Sequence, residues 1–139
     1  MKRGFIVASH RTFSAGLVET LRFFAGDDLN VEVVTAYMSN TPVDEDLARA
    51  MAKFGEDDEV VILTDLMAGS VNQKATQYLN RSHTHILTGM NLPLAMALVM
   101  EPVNQYLTTE RIEAIVTDAK NQIVYINQLN LGDKDDEDE

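Results

Sequence analysis

Residues 5–26 read FIVASHRTFSAGLVETLRFFAG, and this stretch decides the fold. Phe5 to Ala8 form a short apolar run of the kind found in a strand buried on both faces. A polar turn, Ser9-His10-Arg11-Thr12, interrupts it. From Ser14 to Ala25 the apolar spacing becomes helical, with Leu17, Leu21 and Phe24 on one face and Gly26 as the stop. A strand feeding a helix through a short polar turn is the opening of a βαβ unit.

The same alternation continues outward. Val31 to Ala36 is a second strand. Thr41-Pro42 offers an N-cap and an N1 proline, with Asp44 and Glu45 in the first turn and Gly55 as the end of the helix. Val60 to Leu63 is the third strand. After Asp65 a loop from Leu66 to Gly69 leads into a helix from Ser70 to Asn80, with Val71, Ala75 and Tyr78 or Leu79 toward the core. His85 to Thr88 is a fourth strand. A turn at Gly89 to Leu92 precedes a helix that opens at Pro93, turns Leu94, Ala97 and Leu98 inward and is bounded by Pro102. A last helix, Thr109 to Asn121, carries Ile112, Ile115, Val116 and Ala119 as a stripe, and Ile123 to Ile126 reads as a closing strand. The pattern predicts a single α/β domain over residues 1–130, an open and mostly parallel sheet with helices on both faces. Residues 131–139 read as an acidic, disordered tail.

Composition narrows the function classes. The 139 residues are 45% hydrophobic, enough for one ordinary core. The formal net charge of −11 argues against nucleic acid, although six acids against one lysine from Asp133 to Glu139 supply much of it. The N-terminal residues begin as a strand and lack a signal-peptide pattern, and no apolar run has membrane-spanning length, so a cytoplasmic protein is expected. With no Cys, disulfides and thiolate chemistry are excluded, and the nucleophile must be another residue.

In an open parallel sheet the working crevice lies beyond the carboxyl ends of the strands. Three such ends carry polar or Gly-containing turns: Ser9-His10, Thr64-Asp65 and Thr88-Gly89-Met90-Asn91. A carboxylate that accepts the proton of one imidazole nitrogen leaves the other nitrogen with a free lone pair. His10 with Asp65 is therefore a candidate nucleophile with its orienting partner. Ala68-Gly69-Ser70-Val71-Asn72, small residues running into a helix start, can present N–H groups to a phosphate. It lacks the Gly-Lys-Ser/Thr of a P-loop, so it carries no sign of ATP binding.

Three segments, Phe5 to His10, Thr64-Asp65-Leu66-Met67-Ala68-Gly69-Ser70 and Gly89-Met90-Asn91-Leu92-Pro93, together resemble the IIA component of the mannose/fructose/sorbose class of the bacterial sugar phosphotransferase system. The resemblance covers nearly the whole chain. It implies a phosphotransferase with a phosphohistidine intermediate: His10 takes a phosphoryl group on Nε2 from the phosphocarrier protein HPr and passes it to a IIB component. It implies that Asp65 orients the imidazole through the other nitrogen, while main-chain groups at Gly69 and Ser70 and the Ser70 hydroxyl hold the phosphate. Ser9 and Thr12 are further phosphate-side donors, and Arg11, Met67, Asn72 and Asn91 belong to the rim that meets partners. It also implies a homodimer in which a C-terminal edge strand, here Ile123 to Ile126, packs on the partner's sheet, and contact with a membrane only through a permease complex. The family often has Gly-Gly-Ser-Pro or Gly-Gly-Thr-Pro where this chain has Ala68-Gly69-Ser70-Val71. Ala68 disfavours a positive φ, and Val71 lacks the preset φ of proline.

Plainer readings stand beside these. Asp65 can simply cap its turn, Ser9 and Thr12 can be turn or cap residues, and Arg11 can be a solvated loop residue. His83 and His85 have i, i+2 spacing, but no carboxylate or thiol lies nearby in sequence to complete a metal site, so neither a metal nor another cofactor is expected. The rival functions are phosphate delivery to a dihydroxyacetone kinase partner and a regulatory module of the same fold that does not pass its phosphate on.

Overall fold

A computed structural model describes residues 2–129. Its elements are β1 (Arg3–His10), α1 (Phe13–Ala25), β2 (Val31–Ala36), α2 (Val43–Met51), β3 (Glu59–Thr64), α3 (Ser70–Ala75), β4 (Thr84–Leu87), α4 (Leu92–Val99) and α5 (Thr109–Lys120). Short 3-10 turns occupy Thr76–Tyr78 and Ile126–Gln128. The four strands pair in parallel in the order β2-β1-β3-β4. Phe5 lies opposite Val31 on one side and Val61 on the other. Parallel pairing forces each connection to cross over the sheet, which is why a helix separates every pair of successive strands.

The period-two alternation of β1 divides the core between the two faces. Phe5 and Val7, with Val61 and Leu63 of β3, pack under Leu17, Val18 and Leu21 of α1, Leu94 and Leu98 of α4, and Ile115 of α5. Ile6 and Ala8, with Val60 and Ile62, pack under Leu47 and Met51 of α2 and Val71 and Ala75 of α3. The two inner strands are thus apolar along almost their whole length because both of their faces are covered. Each buried aliphatic side chain contributes roughly 1.5–3 kcal/mol, more than any local propensity here.

The chain departs from the sequence-based expectation at several ends. Phe24 is exposed, and Val18 takes its place in the buried stripe of Ser14, Leu17, Val18 and Leu21, which ends one turn earlier. Pro42, not Thr41, is the N-cap of α2, without a side-chain cap bond, and Thr41 pairs with Ser39 instead. That helix stops at Met51, before Gly55. The helix after Gly69 tightens into a 3-10 turn at Thr76, and Leu79 is exposed while Tyr78 is half-buried. On α4 Ala95 is buried with Leu94 and Leu98, while Ala97 packs against the same core but is only partly buried. Most consequentially, Ile123 to Ile126 is not a strand: residues 123–125 are irregular and Ile126 begins a 3-10 turn. A strand exists only by bonding a neighbour, and among the described residues no strand pairs with this segment, so its β-propensity is unrealised. The expected tail, residues 131–139, lies outside the described residues.

At the end of the sheet away from the strands' carboxyl ends, Arg3 and Glu59 form a fully buried ion pair, Nε to Oε1 at 2.6 Å. Three of the four remaining guanidinium N–H groups donate to the carbonyls of Glu101, Pro102 and Gln105 at 2.9–3.1 Å. The second Glu59 oxygen accepts from Leu107 N–H at 2.8 Å and lies 3.0 Å from His85 Nε2. This cluster fastens the α4–α5 connection to the first strand, and its charges are saturated with partners. His83, at φ 56, stacks on Tyr106 of the same connection with ring centroids 3.7 Å apart. Replacing Arg3 by Met leaves Glu59 buried without its cation, so Arg3→Met is expected to lower the unfolding free energy by roughly 3–5 kcal/mol. A urea midpoint equal to the wild type's would refute this account of the pair.

Candidate functional site

The order β2-β1-β3-β4 creates a switch point: from β1 the chain leaves toward β2, and from β3 it leaves toward β4 on the other side. Loops after adjacent strands then diverge over opposite faces and open a crevice between them. His10 is the last residue of β1, and Asp65 follows the last residue of β3. Topology thus brings together two residues 55 positions apart in sequence.

Asp65 Oδ2 accepts two hydrogen bonds from His10, from its backbone N–H at 2.8 Å and from Nδ1 at 2.7 Å. The Nδ1 atom must carry a proton to donate, so in the neutral ring Nε2 holds the lone pair. The Asp65 side chain is only 7% exposed, whereas that of His10 is 37% exposed, so the carboxylate is sheltered while the imidazole is partly open to solvent. Burial pushes the Asp65 carboxyl upward, but the backbone and side-chain hydrogen bonds from His10, the charge of His10 and the Leu66 N–H together hold it below the usual aspartate value. Its Oδ1 also accepts the Leu66 N–H at 3.0 Å, so the turn-capping role and the imidazole-orienting role coexist on one carboxylate.

The loop between Asp65 and α3 is built to fit against the ring. A Cβ on Gly69 would lie 2.9 Å from His10 Cε1 and 3.2 Å from the Leu66 carbonyl oxygen. Gly69 itself is extended, φ −80 and ψ 154, so its requirement is for space and not for an unusual dihedral. Its N–H donates to Leu66 C=O at 3.1 Å and its carbonyl accepts the Gln73 N–H at 3.1 Å, which closes the first turn of α3. Ser70 Oγ stands 3.5 Å from His10 Nε2. Asn72 braces the loop: its Oδ1 accepts from Thr64 Oγ1 at 2.8 Å and its Nδ2 donates to the Met67 carbonyl at 3.2 Å. Leu66 and Met67 are left exposed at the rim. Ala68 is not among the non-glycine residues with positive φ, so the strain feared at that position does not arise. Val71 is fully buried in the core under α2 and α3, and packing anchors the helix start where proline is missing.

The remaining sequence candidates separate into those at the nitrogen and those beneath it. Ser9 is fully buried: its Oγ accepts the Ser14 N–H at 2.7 Å and donates back to the His10 carbonyl at 3.1 Å. It therefore satisfies a first-turn donor of α1, while Thr12, at the N-cap, is exposed and makes no capping bond. Asn91 caps α4, its Oδ1 accepting the Leu94 N–H at 2.9 Å. Thr12 and Asn91 meet across a largely apolar groove of about 430 Å³ that also contains Phe13, Leu17 and Leu92. Arg11, at φ 57, donates through Nη1 to the Tyr37 carbonyl at 2.8 Å.

Tyr37 is the residue that sequence reading missed. It directly follows β2, adopts φ 68 and stacks its ring on His10 with centroids 5.4 Å apart and planes 29° apart. Two non-glycine residues in the left-handed region, Arg11 and Tyr37, thus flank one imidazole. That conformation is uncommon for such side chains and persists where surrounding contacts over-determine it. Nothing in the local sequence marks either residue for it; the pairing of β1 with β2 brings Tyr37 beside His10.

Residues 4–118 match the sequence family described as PTS system fructose IIA component. Among solved structures, a phosphoenolpyruvate-dependent sugar phosphotransferase system permease of Klebsiella pneumoniae subsp. pneumoniae is 34% identical, with a TM-score of 0.84 over 92% of this chain and 93% of that one. The PTS IIA protein associated with the fucose utilization operon of Streptococcus pneumoniae is 29% identical, with a TM-score of 0.76 over 92% and 96% of the two chains. The mannose/sorbose specific IIA subunit of Enterococcus faecalis, at 19% identity and a TM-score of 0.75 over 94% and 99%, shares the fold.

The depressed Asp65 carboxyl has a signed consequence for stability. A carboxylate held below its unfolded value contributes stability that is complete above the ordinary aspartate pKa and is lost as pH falls through the folded value. The stability difference between wild type and Asp65→Asn is therefore expected to be largest above about pH 5 and to shrink in acid, below about pH 4. Urea titrations of both proteins across that range check it; a difference that grows toward acid would contradict the assigned direction.

Proposed function

Since the chain belongs to the IIA family of the mannose/fructose class of the sugar phosphotransferase system, and so has a phosphotransfer role, we propose that His10 is the phosphoryl carrier, loaded by phospho-HPr and unloaded by a IIB component. The observation that carries the reading is the Asp65–His10 pair at 2.7 Å, which in the neutral ring puts the lone pair on Nε2 of a partly exposed side chain. In loading, the Nε2 lone pair forms a bond to phosphorus while the bond between phosphorus and the donor breaks, its electron pair leaving with the donor. The ring gains positive charge, and the Asp65 carboxylate on Nδ1 offsets it without taking the proton away. Unloading is the same displacement in reverse, with the electron pair of the N–P bond returning to Nε2.

The other candidates support this centre in different ways. Ser70 Oγ and the N–H groups after it would hold a phosphoryl oxygen, a role supported by the 3.5 Å between Ser70 Oγ and Nε2 and by the space that Gly69 leaves beside the ring. Leu66, Met67, Phe13 and Met38 leave exposed apolar surface near the centre, which suits docking of another protein better than of a sugar. No helix among the described residues is long and apolar enough to cross a membrane, in keeping with a carrier that meets a permease through its partners.

Self-association belongs to the same reading. Ile123, Val124, Tyr125, Ile126 and Leu129 are all exposed, Ile123 to 78%, and β4 is an edge strand. A contiguous apolar segment and an open strand edge are the two halves of a strand-exchanged dimer.

Two measurements test the proposal. With phosphoenolpyruvate, Enzyme I and HPr, acid-labile label is expected on wild type and absent from His10→Ala; equal labelling of the variant would exclude His10 as carrier. In sedimentation velocity the wild type is expected to run as a dimer and the double variant Ile123→Asp, Tyr125→Asp as a monomer. A wild type that remains monomeric at tens of micromolar would remove the dimer from the proposal.

A further inference from the structure

We propose that Tyr37 is a positioning residue for phosphoryl transfer, acting through Ser70. The inference rests on His10 being the carrier, and it concerns a residue outside the His10–Asp65 pair. Tyr37 makes two contacts with the site at once: its ring stacks on the imidazole, and its hydroxyl is 2.5 Å from Ser70 Oγ. Ser70 Oγ is in turn the side-chain oxygen beside His10 Nε2, at 3.5 Å.

Proton counting gives this chain a direction. Asp65 accepts a hydrogen bond from Nδ1–H, so in the neutral ring that attacks phosphorus Nε2 has a lone pair and can only accept. The Ser70 hydroxyl has one hydrogen. If it points to Nε2, Ser70 must accept from Tyr37, and the phenol is the donor at the far end. Tyr37 O–H to Ser70 Oγ, and Ser70 O–H to Nε2, is the arrangement in which each polar atom finds a complementary partner. When phosphorus occupies Nε2, the same Ser70 hydrogen meets a phosphoryl oxygen, still as a donor and still held by the phenol. Without Tyr37 O–H the serine hydroxyl is free to rotate and to spend its hydrogen elsewhere.

The backbone holds Tyr37 where this requires it. Its left-handed conformation, φ 68, is stabilised from the β1 side by the Arg11 guanidinium on its carbonyl at 2.8 Å. The Arg11 N–H donates to the Ala36 carbonyl at 2.8 Å, one residue earlier. Arg11, which the sequence placed at the rim, thereby holds the segment that carries the phenol. Uncommon conformations held by specific contacts cluster where a side chain must be aimed.

Two readouts test it on the full-length protein. Single-turnover phosphoryl transfer from phospho-HPr is expected to slow roughly fivefold to tenfold in Tyr37→Phe, about the effect of one hydrogen bond, with the donor concentration for half-maximal rate unchanged. Tyr37→Phe keeps the aromatic stack and removes only the hydroxyl. Adding it to Ser70→Ala is expected to cause no further loss, because the phenol acts through the serine. The nitrogen-15 resonance of His10 Nε2 in the unphosphorylated protein is expected to move in Tyr37→Phe in the same sense as in Ser70→Ala. A wild-type rate in Tyr37→Phe, multiplying losses in the double variant, or an unmoved Nε2 resonance would each overturn the proposal. If wild type takes no label on His10, the carrier reading fails, whereas the Nε2 resonance still decides whether Tyr37 aims Ser70.

Discussion

The Asp65 carboxylate, reaching across from the end of β3 to take two N–H groups of His10, is the contact on which the rest of the site depends. One oxygen ties the β1 terminus to the β3 loop through the backbone and sets the imidazole tautomer through the side chain. Its companion oxygen starts the next turn at Leu66. Loop position, ring orientation and the availability of Nε2 are therefore linked, and a change at the carboxylate disturbs all three. Such a linkage suits the proposed carrier role, in which the same nitrogen is presented to a donor and then to an acceptor.

Everything around that contact limits how the ring can move. Gly69 lies so close to Cε1 that a methyl group there would displace the imidazole, and Tyr37 stacks on the ring. Beneath the loop, Asn72 spans from Thr64 to Met67, and Ser9 holds the first turn of α1 against the strand end. Polar residues near His10 thus divide their work. Ser70 and Tyr37 surround the nitrogen, while Ser9, Asn72 and Asn91 spend their hydrogen-bonding capacity on the scaffold. The opposite end of the sheet has its own anchor in the Arg3–Glu59 pair, which secures the α4–α5 connection away from the chemistry.

Much of this was legible in the amino-acid order. The apolar run at Phe5 to Ala8 and the helical stripe after Ser14 announce a βαβ opening because their periods differ, and His10 and Asp65 stand at strand ends by simple counting. Element ends were less legible. Phe24 sits at helical spacing yet is exposed, since the buried stripe of α1 finishes at Leu21. Ile123 to Ile126 has strand composition but no strand partner among the described residues. Propensity and periodicity describe what a segment favours alone, and burial or pairing with a distant segment decides the outcome.

By itself, then, the amino-acid order determined the α/β class, the parallel sheet, the absence of thiol chemistry and the identity of the His10–Asp65 pair, because these follow from local periodicity, composition and the chemistry of side chains at strand ends. Only the tertiary structure decided that the pair meets at a switch point, that Gly69 is needed for space, that Ser9 is spent on a helix start, and that Tyr37 belongs to the site. Those facts depend on which strands are neighbours, β1 lying between β2 and β3. Neighbourhood in a parallel sheet is set by long crossovers and by the burial of two faces at once, and no window of sequence contains that information.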